Sequence, residues 1–467
     1  MRHEPSPAPD APSRWRAILP FAPLPGALAA SLTYWPGLVT WDSLRQYDQA
    51  LSGDFDDWHP PVMEWVWRQL LPLAHGPAPM LLLQLALYAV GFALVIGAVA
   101  RRRGFGPALA IGCVALLPVP VALMATIIKD SLMTGALLLA TGLCLRADAT
   151  PRASAVSRAA ALLLCVFVAT LRFNAFLAVL PIAWWALPPG WRATPRRAIT
   201  GALLLLALLL AAMPVANRLL HARASDVQLS LVIFDLGGIT EHAGVNQFPP
   251  LGVADPVAVN HRCYTPVKWD SYSWWADPLC PIGFEAVRRA FAARAIDPRG
   301  WWLSAIAHHP LAWAAHRLTH WSIGARFLTS DDVDRPVQVE APPNDWGFAI
   351  TPNPAVRAVD RMARWSAHTP LGWPCVWMAA MIGLLWAGGG RIGAGTRVIA
   401  WSALLYGLGY GAFGVAAELR YYLWTMVAGA IALVLGVTEL PRGAWMRLIA
   451  PPVLVALPAI GYRLLYG

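Results

Sequence analysis

Apolar residues in this chain come in long uninterrupted runs, not in the two-residue or 3.6-residue alternation of a soluble fold. The runs lie near 17–35, 78–100, 106–127, 131–146, 159–171, 174–188, 199–216, 370–388, 398–416, 421–438 and 448–464. A bilayer core takes about 20 residues of helix to cross. In lipid a helix satisfies its own backbone hydrogen bonds, so helices are the spanning form these runs support. A membrane barrel would show alternating segments of about 10 residues instead. The pattern predicts an all-α polytopic membrane protein with about 11 transmembrane helices. The first run carries Pro23 and Pro25, which suit a retained helix better than a cleaved signal peptide, although "ALAAS" offers small residues for cleavage.

Polar residues punctuate the runs in two classes. Arginines recur at alternate connections: Arg2, Arg14 and Arg16; Arg101 to Arg103; Arg146, Arg152 and Arg158; Arg192, Arg196 and Arg197; Arg391 and Arg397; Arg442 and Arg447. The positive-inside rule makes that face cytoplasmic, with the N-terminus inside. The other connections carry everything unusual. They are the first loop (36–77), the Lys129-Asp130 turn, Arg172 with Asn174, a long segment at 217–369, and Glu418 with Arg420. The chain thus divides into 1–216, an N-terminal transmembrane module with juxtamembrane helices in its first loop; 217–369, a periplasmic loop domain; and 370–467, C-terminal transmembrane helices. Within the loop domain, 300–327 alternates Trp302, Ile306, Trp313 and Leu318 with four histidines, the pattern of amphipathic helices on the membrane surface.

Composition sharpens this. Hydrophobic residues make up 57% of the 467 positions and charged ones 13%, which excludes an ordinary soluble domain. The net charge of +10 is confined to short arginine patches between apolar runs, so it reads as topology and not as nucleic-acid binding. Cys113, Cys144, Cys165 and Cys375 lie singly in apolar runs, as packing residues do. Cys263 and Cys280 share the loop domain, where an oxidising compartment allows a disulfide; two free thiols are the alternative. No CxxC or HxxxH pair joins these two cysteines, which makes a zinc site the weaker reading.

Candidate chemistry sits at four connections. Asp42 follows the first run closely, in apolar surroundings where an ionisable group is a functional candidate and where desolvation would raise its pKa toward that of a useful base. Asp54, Asp56 and Asp57 read as solvated or capping carboxylates, with "HPP" (His59 to Pro61) starting a surface helix. Lys129 and Asp130 interrupt two apolar runs with almost no loop; a salt-bridged tip and a phosphate contact are both open. Arg172 lies on the side opposite the other arginine patches, where snorkelling and phosphate recognition are alternatives. Glu418 and Arg420 occupy a second minimal turn, either as an internal ion pair or as a further phosphate contact. Together, a carboxylate and several cations at one depth suit chemistry on an anionic lipid headgroup: a base for the acceptor, cations for the leaving phosphate.

These motifs resemble the GT-C superfamily of polytopic glycosyltransferases, near the protein-mannosyltransferase and aminoarabinose-transferase type. The matching residues are Asp42, Tyr47 and His59-Pro60-Pro61 in the first loop, the Lys129-Asp130 pair, Arg172 with Asn174, and the Glu418-Leu419-Arg420-Tyr421-Tyr422 turn. "FDLGGITEH" (234–242) and the cysteine pair are similar to uncharacterised bacterial members. The resemblance implies transfer of a sugar from a polyprenyl-phosphate-linked donor, with inversion, to an extracytoplasmic glycan, lipid or protein acceptor. It implies Asp42 as general base, with Lys129, Arg172 and Arg420 at the donor phosphate. Tyr47, His59, Asn174, Glu418 and Tyr421 would contact substrate. Many relatives carry two adjacent acids in the first loop; here Ser43 follows Asp42, which leaves Asp130 as the candidate second carboxylate. No cofactor is implied, and a divalent cation stays open. The expected location is the bacterial inner membrane, with the active site on the periplasmic face. A transporter of lipid-linked saccharides and a non-catalytic glycan-binding membrane protein are the competing classes. The first predicts acids within spans and internal repeats, and neither is visible.

Overall fold

A computed structural model describes residues 14–150, 154–330 and 341–466. Arg2 and Arg152 of the arginine patches lie outside the described residues. Among the described residues the chain is helical, and its only β pairing is three isolated bridges.

Among the described residues, five helices are long and apolar enough to cross a membrane: Ala78–Arg103, Lys129–Ala149, Pro195–Leu219, Leu419–Val437 and Arg442–Tyr466. A sixth forms if Phe105–Val114 and Pro118–Met124, bent by 53° at their break, count as one span. The apolar runs are therefore more numerous than the long continuous helices. The run near 106–127 breaks before Pro118, whose ring cannot continue the preceding helix. Those at 159–171, 174–188 and 370–388 form shorter helices, Ser154–Ala169, Ala175–Ala186 and Pro374–Gly388. The first run, with Pro20, Pro23 and Pro25, divides into Arg14–Ile18, Leu19–Phe21 and Pro23–Thr33.

Helices Ala78–Arg103 and Lys129–Ala149 run side by side through the core. Small residues let them approach, since a Cβ on Gly91 would stand 2.8 Å from the Leu139 nitrogen and one on Gly142 3.0 Å from the Gly91 carbonyl oxygen. At one end of the bundle, arginines tie helix termini together. Arg102 donates to the Asp148 carbonyl (2.5 Å), Arg103 to the Leu435 carbonyl (2.5 Å) and to Glu439, and Arg158 to the Trp185 carbonyl (2.7 Å). Cations there also complement helix C-termini.

Residues 229–305 of the long segment share a hydrophobic core around Ile233, Phe234, Tyr272, Phe284 and Phe291, whereas Ala363 and Ala367 pack into the core of the helical bundle. Cys263 and Cys280 are joined in a disulfide. Helices Pro298–His308 and Pro310–Gly324 cover the expected amphipathic region, but the polar side of the second turns inward. His316, Arg317 and His320 are buried, because Asp235 on helix Gln228–Ala243 supplies a buried counter-charge. Its carboxylate meets Arg317 Nε at 2.6 Å and His316 Nε2 at 3.3 Å, and accepts from Trp302 at 2.7 Å and Trp313 at 3.2 Å. Burial pushes the His320 imidazole down to about 3, although its contact with the Pro266 carbonyl opposes this.

Candidate active site

The site is assembled where connections meet at the end of the bundle opposite the arginine-tied termini. Asp42 is the second residue of helix Trp41–Ser52. Thr40 and Ser43 form a reciprocal capping box that fixes this helix start. The Ser43 hydroxyl also donates to the Ile127 carbonyl at 2.5 Å. Beside it Leu38 pairs with the strand-like 125–127 segment, through Leu38 N to Ala125 O (3.2 Å) and Ile127 N to Leu38 O (2.8 Å). Gln84, buried in helix Ala78–Arg103, braces the same segment by donating to the carbonyls of Met124 (2.6 Å) and Thr126 (2.9 Å). These bonds set Asp42 beside Lys129, the first residue of the next spanning helix.

The charges then interlock. Asp42 accepts from Arg420 at 2.9 Å, and its other oxygen lies 3.6 Å from His59 Nε2. Lys129 Nζ lies 2.7 Å from His59 Nδ1. With the ammonium donating to Nδ1, the ring proton is assigned to Nε2, facing Asp42. Arg172 pairs with buried Asp130, and its guanidinium lies over the Tyr421 ring, 4.4 Å from the centroid. Arg420 approaches the same ring at 5.4 Å and pairs with Glu418. Tyr410 stacks on Tyr421 at 5.1 Å between centroids. A cavity of about 110 Å³ lies among Pro60, Lys129, Arg172, Asn174, Tyr410 and Tyr421. Phe173 links it to an apolar groove of about 200 Å³ along Phe176, Leu209, Leu210, Met213 and Pro214.

Burial of Asp42 opposes its ionisation, but the charges of Arg420 and Lys129 outweigh it and hold the carboxyl well below the usual carboxylate range. This corrects the expectation that desolvation would raise it: the cations win. Burial, with Lys129 next, pushes His59 down to about 3, so the imidazole is neutral.

Ten side chains were expected at this site, and eight of them gather around the Asp42 cluster and the cavity: Asp42, His59, Lys129, Arg172, Asn174, Glu418, Arg420 and Tyr421. Two expectations need correction. Tyr47 is a core residue; its hydroxyl accepts from the Gly76 amide at 3.0 Å, and its ring packs on Trp67, Trp346 and Phe348. Asp42 and Tyr47 stand five residues apart on one helix, about 140° around it, so with Asp42 turned to Arg420 and His59, Tyr47 faces away from that cluster. Asp130 is 1% exposed and committed to Arg172, which makes it a support for that cation and not a second acid beside Asp42. The neighbouring acids Asp54, Asp56 and Asp57 are braces, not helix caps. Asp54 pairs with Arg223 (2.8 Å), Asp56 with Arg45 (2.5 Å), and Asp57 accepts from the Ser225 amide (2.7 Å) and hydroxyl (2.6 Å). The helix after them, Val62–Leu70, begins beyond both prolines with no side-chain cap.

Glu64 was not anticipated. It is fully buried in helix Val62–Leu70, next to the equally buried Gln46. Burial pushes it up to about 8, against the pull of its own backbone, Lys129 and Gln46. The available signal was a lone acid on the apolar side of "VMEWVW", on the face of Trp67. Asp235 carried the same kind of signal within "LVIFDLGG". Among the described residues, no group of three His, Cys, Asp or Glu side chains is arranged as metal ligands.

No family model and no curated protein matches this chain. Among solved structures, the chain is similar to the crystal structure of ArnT from Cupriavidus metallidurans bound to undecaprenyl phosphate. Identity is 16% and the TM-score 0.33, over 94% of this chain and 80% of that one. A TM-score of 0.33 is too low to transfer an activity.

Proposed function

We propose that this protein is a polytopic membrane glycosyltransferase that moves a sugar from a polyprenyl-phosphate-linked donor to an extracytoplasmic acceptor, with inversion. The observation that carries this reading is the cluster itself: one partly open carboxylate, Asp42, in direct contact with Arg420, joined to Lys129 through His59 and to Arg172 through Arg420 and Tyr421, cations from three other connections. The motif resemblance to GT-C enzymes supports the same chemistry. In the reaction the acceptor hydroxyl attacks the anomeric carbon and its proton passes to Asp42. The bond between that carbon and the phosphate oxygen breaks, and the polyprenyl phosphate leaves with the electron pair. Lys129, Arg172 and Arg420 stabilise the charge that develops on it. The apolar groove beyond Phe173 suits the first isoprene units of the donor.

The low proton affinity of Asp42 fits this scheme. The cations that hold its carboxyl down are those the donor phosphate would claim. Donor binding shares their charge and raises the basicity of Asp42 when a base is needed. Neutral His59 positions Asp42 and Lys129 relative to each other. The protein resides in the bacterial inner membrane with its N-terminus cytoplasmic and this site on the periplasmic face, as the sided arginines imply.

Asp42→Asn tests the reading. Cell-envelope glycolipids and glycans compared by mass spectrometry should lose one sugar substituent in the variant as in a deletion, with membrane levels of the protein unchanged. With purified protein, turnover should drop about 10²–10⁴-fold. Wild-type turnover in the Asn variant would remove Asp42 as the base.

A further inference from the structure

Outside the charged cluster, the loop domain presents a group of aromatic rings that the proposed transfer does not yet use. Trp58, adjacent in sequence to His59, packs edge-on to Trp274 (4.6 Å between centroids) and Trp275 (5.8 Å), and contacts Trp269 and Phe284. Trp274 and Trp275 contact each other at 4.6 Å. Trp269 and Phe284 are buried beneath, whereas Trp274 is 40% and Trp275 47% exposed. Two wide rings are therefore held at the surface by packing against a fixed base.

The group is tied to the site on two sides. Trp58 joins it to His59, which lies 3.6 Å from Asp42. The backbone of Trp269 donates to the Val415 carbonyl (2.9 Å), and Ala417 donates to the Val267 carbonyl (2.9 Å), next to Glu418. Lys268 and Asp270 flank the rings, 3.5 Å apart. Burial raises the Asp270 carboxyl; Lys268 pulls it back, and the carboxylates of Glu418 and Asp42 push it up again, as expected of groups sharing one field.

We infer that Trp58, Trp274 and Trp275, with Lys268, Asp270 and Glu418 at their edge, form a carbohydrate platform that holds the acceptor as a glycan beside Asp42. This rests on the proposed transfer reaction and adds the acceptor class to it. A pyranose has an apolar face of axial C–H groups that matches the negative face of an indole ring, and equatorial hydroxyls that carboxylates and an ammonium can bond. Other acceptors fit less well. Among the described residues no strand edge is available to pair with an extended peptide.

The test is saturation-transfer NMR on the full chain in lipid nanodiscs, with cellotriose, chitotriose and mannotriose as probes. At least one trisaccharide should receive saturation on its axial ring protons. Trp274→Ala/Trp275→Ala should weaken that binding about tenfold, while Trp274→Phe/Trp275→Phe, which keeps an aromatic face and guards against misfolding, should retain most of it. Asp42→Asn should leave probe binding intact while ending transfer, so the platform and the base assignment stand or fall separately. No saturation on any of the three probes overturns the inference. So does binding that survives the double alanine change. A double alanine variant that sits at a different depth in the nanodisc but keeps its sugar signal would assign the rings to the lipid headgroup layer instead.

Discussion

Replacing Glu64 with Gln should stabilise this protein, and more at high pH than at low. The carboxyl is fully buried, and neither oxygen has a well-formed hydrogen bond. Its pKa is pushed up to about 8, from an ordinary 4.5. The folded state therefore holds a proton that the unfolded state releases between those values. The sign follows from linkage: stability is unaffected by Glu64 below pH 4.5, falls as pH rises, and levels off above about 8. At about 1.36 kcal/mol per pH unit over that interval, the upper bound on the loss is about 5 kcal/mol. Structural relaxation around the charged form makes a measured effect of about 1–3 kcal/mol more realistic. Gln has the same shape, no charge to desolvate and an amide that can pair with Gln46. Thermal unfolding in nanodiscs, followed between pH 5 and pH 9, reads this directly. The wild type should lose stability across that range relative to Glu64→Gln, and the two should converge at the acid end. Parallel curves, or a variant less stable at pH 8, would mean that Glu64 is ionised and engaged in the folded protein, and the buried-acid account would be wrong.

Other outcomes follow from the same geometry. Ser43→Ala removes the hydrogen bond to Ile127 and one half of the capping box, and should cost about 1–2 kcal/mol in unfolding. It should also lower kcat more than it raises KM, because Asp42 loses its fixed distance from Lys129. Asp130→Asn leaves Arg172 as an uncompensated buried cation and should destabilise by about 3–5 kcal/mol, whereas Asp130→Asn/Arg172→Gln should recover part of that loss while remaining inactive; thermal midpoints and turnover separate the two effects. Cys263→Ser/Cys280→Ser opens a loop of 17 residues and should destabilise the loop domain by about 3 kcal/mol, seen as earlier proteolysis within 217–369.

The sequence by itself determined the solvent. Runs of apolar residues state that helices cross a bilayer, because hydrophobic burial is a local property of each segment, and arginine at alternate gaps predicts which ends share a face. It also named most of the polar groups at the site, since an acid or a cation in an apolar chain is conspicuous wherever it stands. Residue-by-residue roles were not legible. Asp42 and Arg420 are 378 positions apart, and no periodicity encodes their 2.9 Å contact. The pairing of 38 with 126, the Ser43 bond to Ile127 and the grip of Asp57 on Ser225 decide which loops meet. Only those contacts turn Tyr47 into the core, commit Asp130 to Arg172 and draw the histidine-rich helix inward onto Asp235. The direction of the Asp42 shift is the clearest case. Burial and the surrounding cations act oppositely on its proton, and which one wins depends on distances that only the folded chain sets.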